Sequence, residues 1–205
     1  MSGSRDRAAA MDREQRRAQI LGVAKEVFAQ KGYHDARIDD IVARAGVARG
    51  TFYLYFADKR AIFAHLVEAF LQRLVGAIRT IELEDPAVRP MEEFRANLMR
   101  VVEVFADDPA MAQVTLSAAV GLDADFDRKL ADFYEPVRAL LESALEQGEA
   151  AGIVRAGNHR LRSYALLGAF KELIYQVVVR KVESDTEALV TSTLDLVTRG
   201  ALTDR

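Results

Sequence analysis

Residues 38–59 read IDDIVARAGVARGTFYLYFADK, and the spacing of apolar positions in this run decides the fold. Ile38, Ile41, Val42 and Ala45 recur at three- and four-residue intervals, which sets them on one face of a helix. Gly46–Val47–Ala48 is a short turn. Gly46 supplies the positive φ that closes it, and Val47 plugs the angle between its two helices. Arg49–Phe56 forms a very short helix rich in aromatics. Asp58 then has the side chain of an N-cap, and Lys59 opens a long helix to about Leu83. Its apolar stripe runs through Ile62, Phe63, Leu66, Val67, Phe70, Leu74 and Ile78.

Working outward, a first helix is expected from about Arg13 to Gln30. Ile20, Val23, Ala24, Val27 and Phe28 form its inner face, and Lys31–Gly32 its stop. Residues 1–10 (MSGSRDRAAA) are small, polar and charged, and are expected to be disordered. A connector begins at Glu84–Asp85–Pro86 and reaches Pro90. Further helices are expected at about 91–106, 109–121, 124–151, 158–182 and 185–201. Breaks fall at Asp107–Asp108–Pro109, Gly121–Leu122–Asp123, Gly152 and Ser184, and Pro136 should kink or divide the 124–151 segment. Strand-like alternation is missing. The fold class is therefore all-α: a three-helix head over 11–60 and a larger helical body over 61–205, about nine helices together.

Composition narrows the function classes. Half of the 205 residues are apolar, ample for a core, and with no cysteine neither a disulfide framework nor a thiolate metal site is available. His34, His65 and His159 are scattered without ligand spacing, so no metal site and no cofactor are expected. No apolar run approaches the roughly 18 residues that span a bilayer, which points to a cytoplasmic protein with no membrane partner. The net charge of −3 conceals an asymmetry. Residues 1–60 carry 12 Lys/Arg against 8 Asp/Glu, and residues 61–205 carry 16 against 23. A basic head on an acidic body suits a phosphate-binding module joined to a domain that does not touch nucleic acid.

Two short helices joined by a glycine-containing turn, the second presenting polar and aromatic side chains, form a helix-turn-helix. Ile41, Val42, Phe52 and Phe56 can pack inward on Val27 and Phe28, leaving Arg49, Thr51, Tyr53 and Tyr55 outward. With the Thr51–Phe52–Tyr53–Leu54–Tyr55–Phe56–Ala57–Asp58–Lys59 core, the stretch resembles the DNA-binding domain of TetR-type (tetracycline-repressor-like) regulators. The motif covers roughly Arg13 to Leu66; beyond it only the all-helical pattern agrees.

The resemblance implies roles residue by residue. Arg49 and Thr51 should reach base edges in the major groove. Tyr53 stands where the family contacts base or backbone. Tyr55 and Lys59 should bind phosphates, Lys59 aided by the N-terminal end of its helix. Gly50 should permit close approach to DNA. Arg37 replaces the Ser or Thr that the family often uses on a phosphate. Arg13, Arg16, Arg17 and Arg44 are either edge contacts or a solvated basic face. A homodimer on a pseudo-palindromic double-stranded operator is implied. The last two helices would form its interface through Leu161, Tyr164, Gly168, Tyr175, Leu189 and Leu196. A small-molecule effector in the body would release DNA, as from a repressor. Phe94, Met99, Phe105, Met111, Phe133 and Phe170 are candidate liners, as is Phe126; Asn97, Gln113 and Glu172 are candidate polar contacts. An all-helical enzyme or carrier is the rival from another class, but no nucleophile–base set or phosphate loop supports catalysis. A helical interaction module that no longer binds DNA is the second.

Overall fold

The computed structural model describes residues 2–79, 81, 89–118, 124–150, 152, 154–182 and 185–201. The expected breaks at 84–86, 121–123 and 184 lie outside these residues, as does the side chain of Phe126. Among the described residues the architecture is all-α, without a strand. Helix α1 spans Ser2–Asp35 and is broken at Gly32, whose φ of 74° and ψ of 170° no helix accommodates. The stop therefore falls where Lys31–Gly32 placed it. The start does not: the helix runs back past Arg13 through Ala8, Ala9 and Ala10, residues with the highest helix propensity.

Helix α2 (Ile38–Ala45) opens with the Asp40 carboxylate accepting the Arg37 N–H at 3.0 Å, one half of a capping box. It closes at Gly46, left-handed at φ 65°, with the Val47 N–H returning to Val42 O at 3.1 Å. Helix α3 is shorter than expected, Arg49–Tyr53, because Leu54 and Tyr55 turn the chain toward Asp58. Asp58 caps α4 (Lys59–Ala77) by accepting the Ala61 N–H at 2.7 Å.

The sequence places the end of α4 at about Leu83, but the helix stops at Ala77. The reason lies in α5 (Pro90–Asp107). The Asn97 amide takes both the N–H and the C=O of Arg79 at 2.8 Å, and Arg100 Nε donates to Ala77 O at 3.1 Å. Two side chains from another helix thus satisfy the terminal groups that a longer α4 would have paired internally.

The body continues with α6 (Pro109–Gln113) and a π-helical turn over Val114–Ala118. Next come α7 (Ala124–Ala150) and α8 (His159–Ile174), with a second π turn over Tyr175–Val179, then α9 (Thr186–Ala201). At the first π turn the Thr115 hydroxyl donates to Met111 O at 2.7 Å, a local bond that competes with the regular ladder. α7 runs through Pro136 undivided; the proline is exposed and the helix is one continuous element.

One buried cluster joins head and body. Ile20, Phe28, Ile41, Phe52 and Ile62 fill the head, and Val102, Phe105, Met111 and Ile174 fill the body. α4 belongs to both. Phe63 stacks edge-on against Phe28 at 5.0 Å, and Phe70, two turns on, against Phe105 at 5.3 Å.

Candidate nucleic-acid interface

The short α3 carries the polar face expected of a reader. Arg49 and Gly50 are exposed, Tyr53 is about half exposed, and Thr51 is half-buried. Arg49 and Tyr53 stand one turn apart, so they share a face. The Tyr53 hydroxyl and then Asp39 hold the Arg49 pKa above its ordinary value, so the guanidinium is a fixed charge. A Cβ added at Gly50 would meet nothing within 4 Å, so packing inside the protein does not demand glycine there. Phe52 and Phe56 point inward as expected, and Tyr55 is half-buried against the core. Arg37 is exposed at the start of α2. Leu54, which sequence reasoning missed, is 73% exposed at the end of this helix, an apolar group on an otherwise polar surface.

Two cations depart from their expected places. The Lys59 ammonium does not face outward. Its protons go to Tyr33 O at 2.7 Å, His34 O at 3.2 Å and Ala36 O at 2.8 Å, with the Tyr33 ring 4.4 Å beneath. Burial lowers its pKa, only partly offset by Asp35. An ammonium has three donors, and here all are directed at carbonyls of the α1–α2 connection. Arg17 is likewise turned inward, donating to His65 Nε2 at 3.1 Å with the Phe56 ring 5.4 Å away. Arg16 bonds Gln19 at 2.9 Å and Arg44 bonds Gln30 at 2.8 Å, while Arg13 is exposed.

The Arg17–His65 contact predicts a pH effect. Burial, then the Arg17 charge, lowers the His65 pKa below 6.5, with Glu68 and Glu14 opposing. The unfolded chain then binds more protons around that pH, so stability rises with pH and falls on acidification through 6.5 toward the folded value. His65→Gln should narrow the difference in melting temperature between about pH 7.5 and about pH 5.5. An unchanged difference would assign the effect to other groups.

In the body, Phe105, Met111 and Phe170 are buried, and Phe94, Met99 and Phe133 are half-buried against the same core. Asn97 closes α4 as described, and Gln113 and Glu172 are exposed, so none of the three polar candidates points into the core. Burial pushes the Tyr134 hydroxyl up to about 12, and the Lys171 ammonium lies 4.0 Å over its ring, its own pKa lowered by burial. A cleft of about 190 Å³ separates α1 from α4 and α6, lined by Leu21, Lys25, Phe70, Arg73, Asp108 and Met111. Asp108 joins its walls. Oδ1 caps α6 on the Met111 N–H at 3.2 Å, and Oδ2 meets Lys25 of α1 at 3.0 Å and Arg73 of α4 at 3.5 Å.

The outer faces of α7–α9 expose Leu140, Leu161, Tyr164 and Leu196, with Gly168 beside them. Tyr175 is half-buried. Leu189 is a correction to the expected interface: at 3% exposure it is core, with Val190 and Thr193. α9 packs on α5 and α8, and this side of it faces them. Among the described residues no helix is long and apolar enough to cross a membrane, and no group of three metal-ligating side chains occurs.

Residues 20–66 match the family described as "Bacterial regulatory proteins, tetR family". The chain is 28% identical over 185 residues to the fatty acid metabolism regulator protein of Bacillus subtilis (strain 168), covering 89% of this chain and 93% of that one. It is 33% identical over 106 residues to the HTH-type transcriptional activator FasR of Mycolicibacterium smegmatis, covering 52% of this chain and 46% of that one. Among solved structures, the transcriptional regulator FadR from Bacillus subtilis in complex with stearoyl-CoA aligns with a TM-score of 0.69 and 27% identity. That alignment covers 89% of this chain and 98% of the other.

Proposed function

Because this chain belongs to the tetR family of bacterial regulatory proteins and is a transcriptional regulator rather than an enzyme, we propose that it is a ligand-released repressor. It binds a pseudo-palindromic operator as a homodimer through Arg49, Thr51 and Tyr53, with Arg37 and Tyr55 toward the backbone. The exposed apolar residues of α7–α9 are the mating surface. The effector is a long-chain acyl thioester held among the aromatic and methionine side chains of the body, including Phe94, Met99 and Phe133. The nearly full-length likeness to the regulator that binds stearoyl-CoA supports that ligand class.

The observation that carries the reading is that α4 is common to both cores. Its first residue, Lys59, is tied to the head through the Tyr33 carbonyl, and its fourth turn is tied to the body by Phe70 and Arg73. A ligand that favours a shifted α4 therefore alters the placement of α3, provided it binds the two states with different affinity. A duplex selected from a randomised library, followed by fluorescence anisotropy, tests this. Binding should weaken steeply with salt. Stearoyl-CoA should weaken it at least about tenfold, a differential affinity of about 1.4 kcal/mol. Unchanged operator affinity at saturating stearoyl-CoA sinks the effector assignment, and absence of any selected duplex sinks the repressor reading. Tighter binding would instead favour activation, as the name of the FasR relative suggests.

A further inference from the structure

Asp39 stands in the first turn of α2, about two-thirds exposed, on the surface that also carries Arg49. Its Oδ1 accepts from an Arg49 terminal nitrogen at 2.9 Å. The adjacent Asp40 is engaged elsewhere. It bonds Lys31 at 2.7 Å and caps the Arg37 N–H, and those bonds hold its own pKa low. Asp39 takes no part in that capping. An ion pair this exposed contributes little to folding stability. A carboxylate beside the base-reading helix also repels backbone phosphates, so it reduces gross affinity for DNA. The helix dipole favours a carboxylate anywhere in this first turn, but of the two aspartates there only Asp39 also holds the Arg49 guanidinium.

We propose that Asp39 is a positioning residue that sets sequence discrimination, restraining Arg49 so that it reads a base edge instead of swinging to a phosphate. The inference rests on the operator-binding reading above. A guanidinium carries five N–H donors in a rigid plane on a flexible stem. One donor held by Asp39, beside the Tyr53 hydroxyl, restrains that plane and leaves donors for the paired acceptors of a guanine. Without the restraint, the same side chain reaches the nearest phosphate, which lies beside every sequence. Asp39 therefore exchanges total affinity for preference.

The test compares full-length wild type, Asp39→Asn, Arg49→Ala and the double variant. Each is measured on a duplex selected by the wild type from a randomised library and on single-base-pair variants of it. Asn has the shape of Asp without the charge, and matched melting temperatures confirm intact folding. Asp39→Asn is expected to lose about fivefold of the preference at the base pair that Arg49 reads. The same variant should bind unrelated duplex more tightly, with a steeper salt dependence. In the Arg49→Ala background the substitution should leave base preference untouched while still raising non-specific binding. That pattern is one that a merely structural role would not produce. Unchanged preference in Asp39→Asn, or an equal loss at every base pair, overturns the positioning role while leaving operator binding intact. Failure of the wild type to select any duplex removes the operator-binding reading and this inference with it.

Discussion

Phe52→Ala is expected to abolish sequence-selective DNA binding by destabilising the head by about 3–5 kcal/mol, the usual cost of truncating a buried phenylalanine. The ring is fully buried in the core of the head, with Phe56 at 5.8 Å and Tyr53 edge-on at 5.5 Å. α3 has five residues, far below the roughly 12 at which an isolated helix begins to hold in water. Packing by this side chain is thus what holds Arg49 and Thr51 in place. Urea unfolding followed by circular dichroism checks the stability loss, and anisotropy on the selected duplex checks binding. A loss below about 1 kcal/mol would mean that the head tolerates the cavity and that Phe52 is not its anchor.

Lys59→Met should destabilise the protein by about 2–4 kcal/mol, since a hydrogen bond to a charged group contributes about 1.5–3 kcal/mol and several are lost together. The thioether keeps the contact with the Tyr33 ring but offers no proton to Tyr33 O, His34 O or Ala36 O. The second readout is the salt dependence of DNA binding. A lysine on a phosphate contributes about one unit to the slope of log K against log salt. For an ammonium directed at carbonyls, the slope should stay close to that of wild type under conditions where the variant is folded. A slope reduced by about one unit with unchanged stability would return Lys59 to the DNA surface.

Most of the fold was legible because it is written in local terms. The face of α2, the left-handed Gly46, the Asp58 cap, and the breaks at Gly32 and Asp107–Pro109 each depend on side chains within a few residues of one another. The roles of Arg49, Thr51 and Tyr53 came from the family resemblance instead, since spacing sets Arg49 three residues before Phe52, on the same side of a helix, and does not by itself turn it away from the core. The misreadings share another cause. Leu189 sits on an apolar stripe that periodicity identifies correctly, but a stripe does not say whether the same chain or a second copy covers it. α5 and α8 cover it here. The end of α4 was placed too late because Asn97 and Arg100, about 20 residues downstream, supply the terminal hydrogen bonds.

The long cations show the same division most clearly. By itself the sequence determined that a basic head of three helices exists and where its glycine turn falls. Both follow from helical spacing and turn chemistry, whose range is one or two turns. Tertiary structure alone decided that Lys59 reaches back to the carbonyls of Tyr33, His34 and Ala36, that Arg17 folds onto His65, and that Asp39 holds Arg49. A flexible charged side chain goes to the acceptors that lie within its reach, and packing, not sequence neighbourhood, sets which acceptors those are.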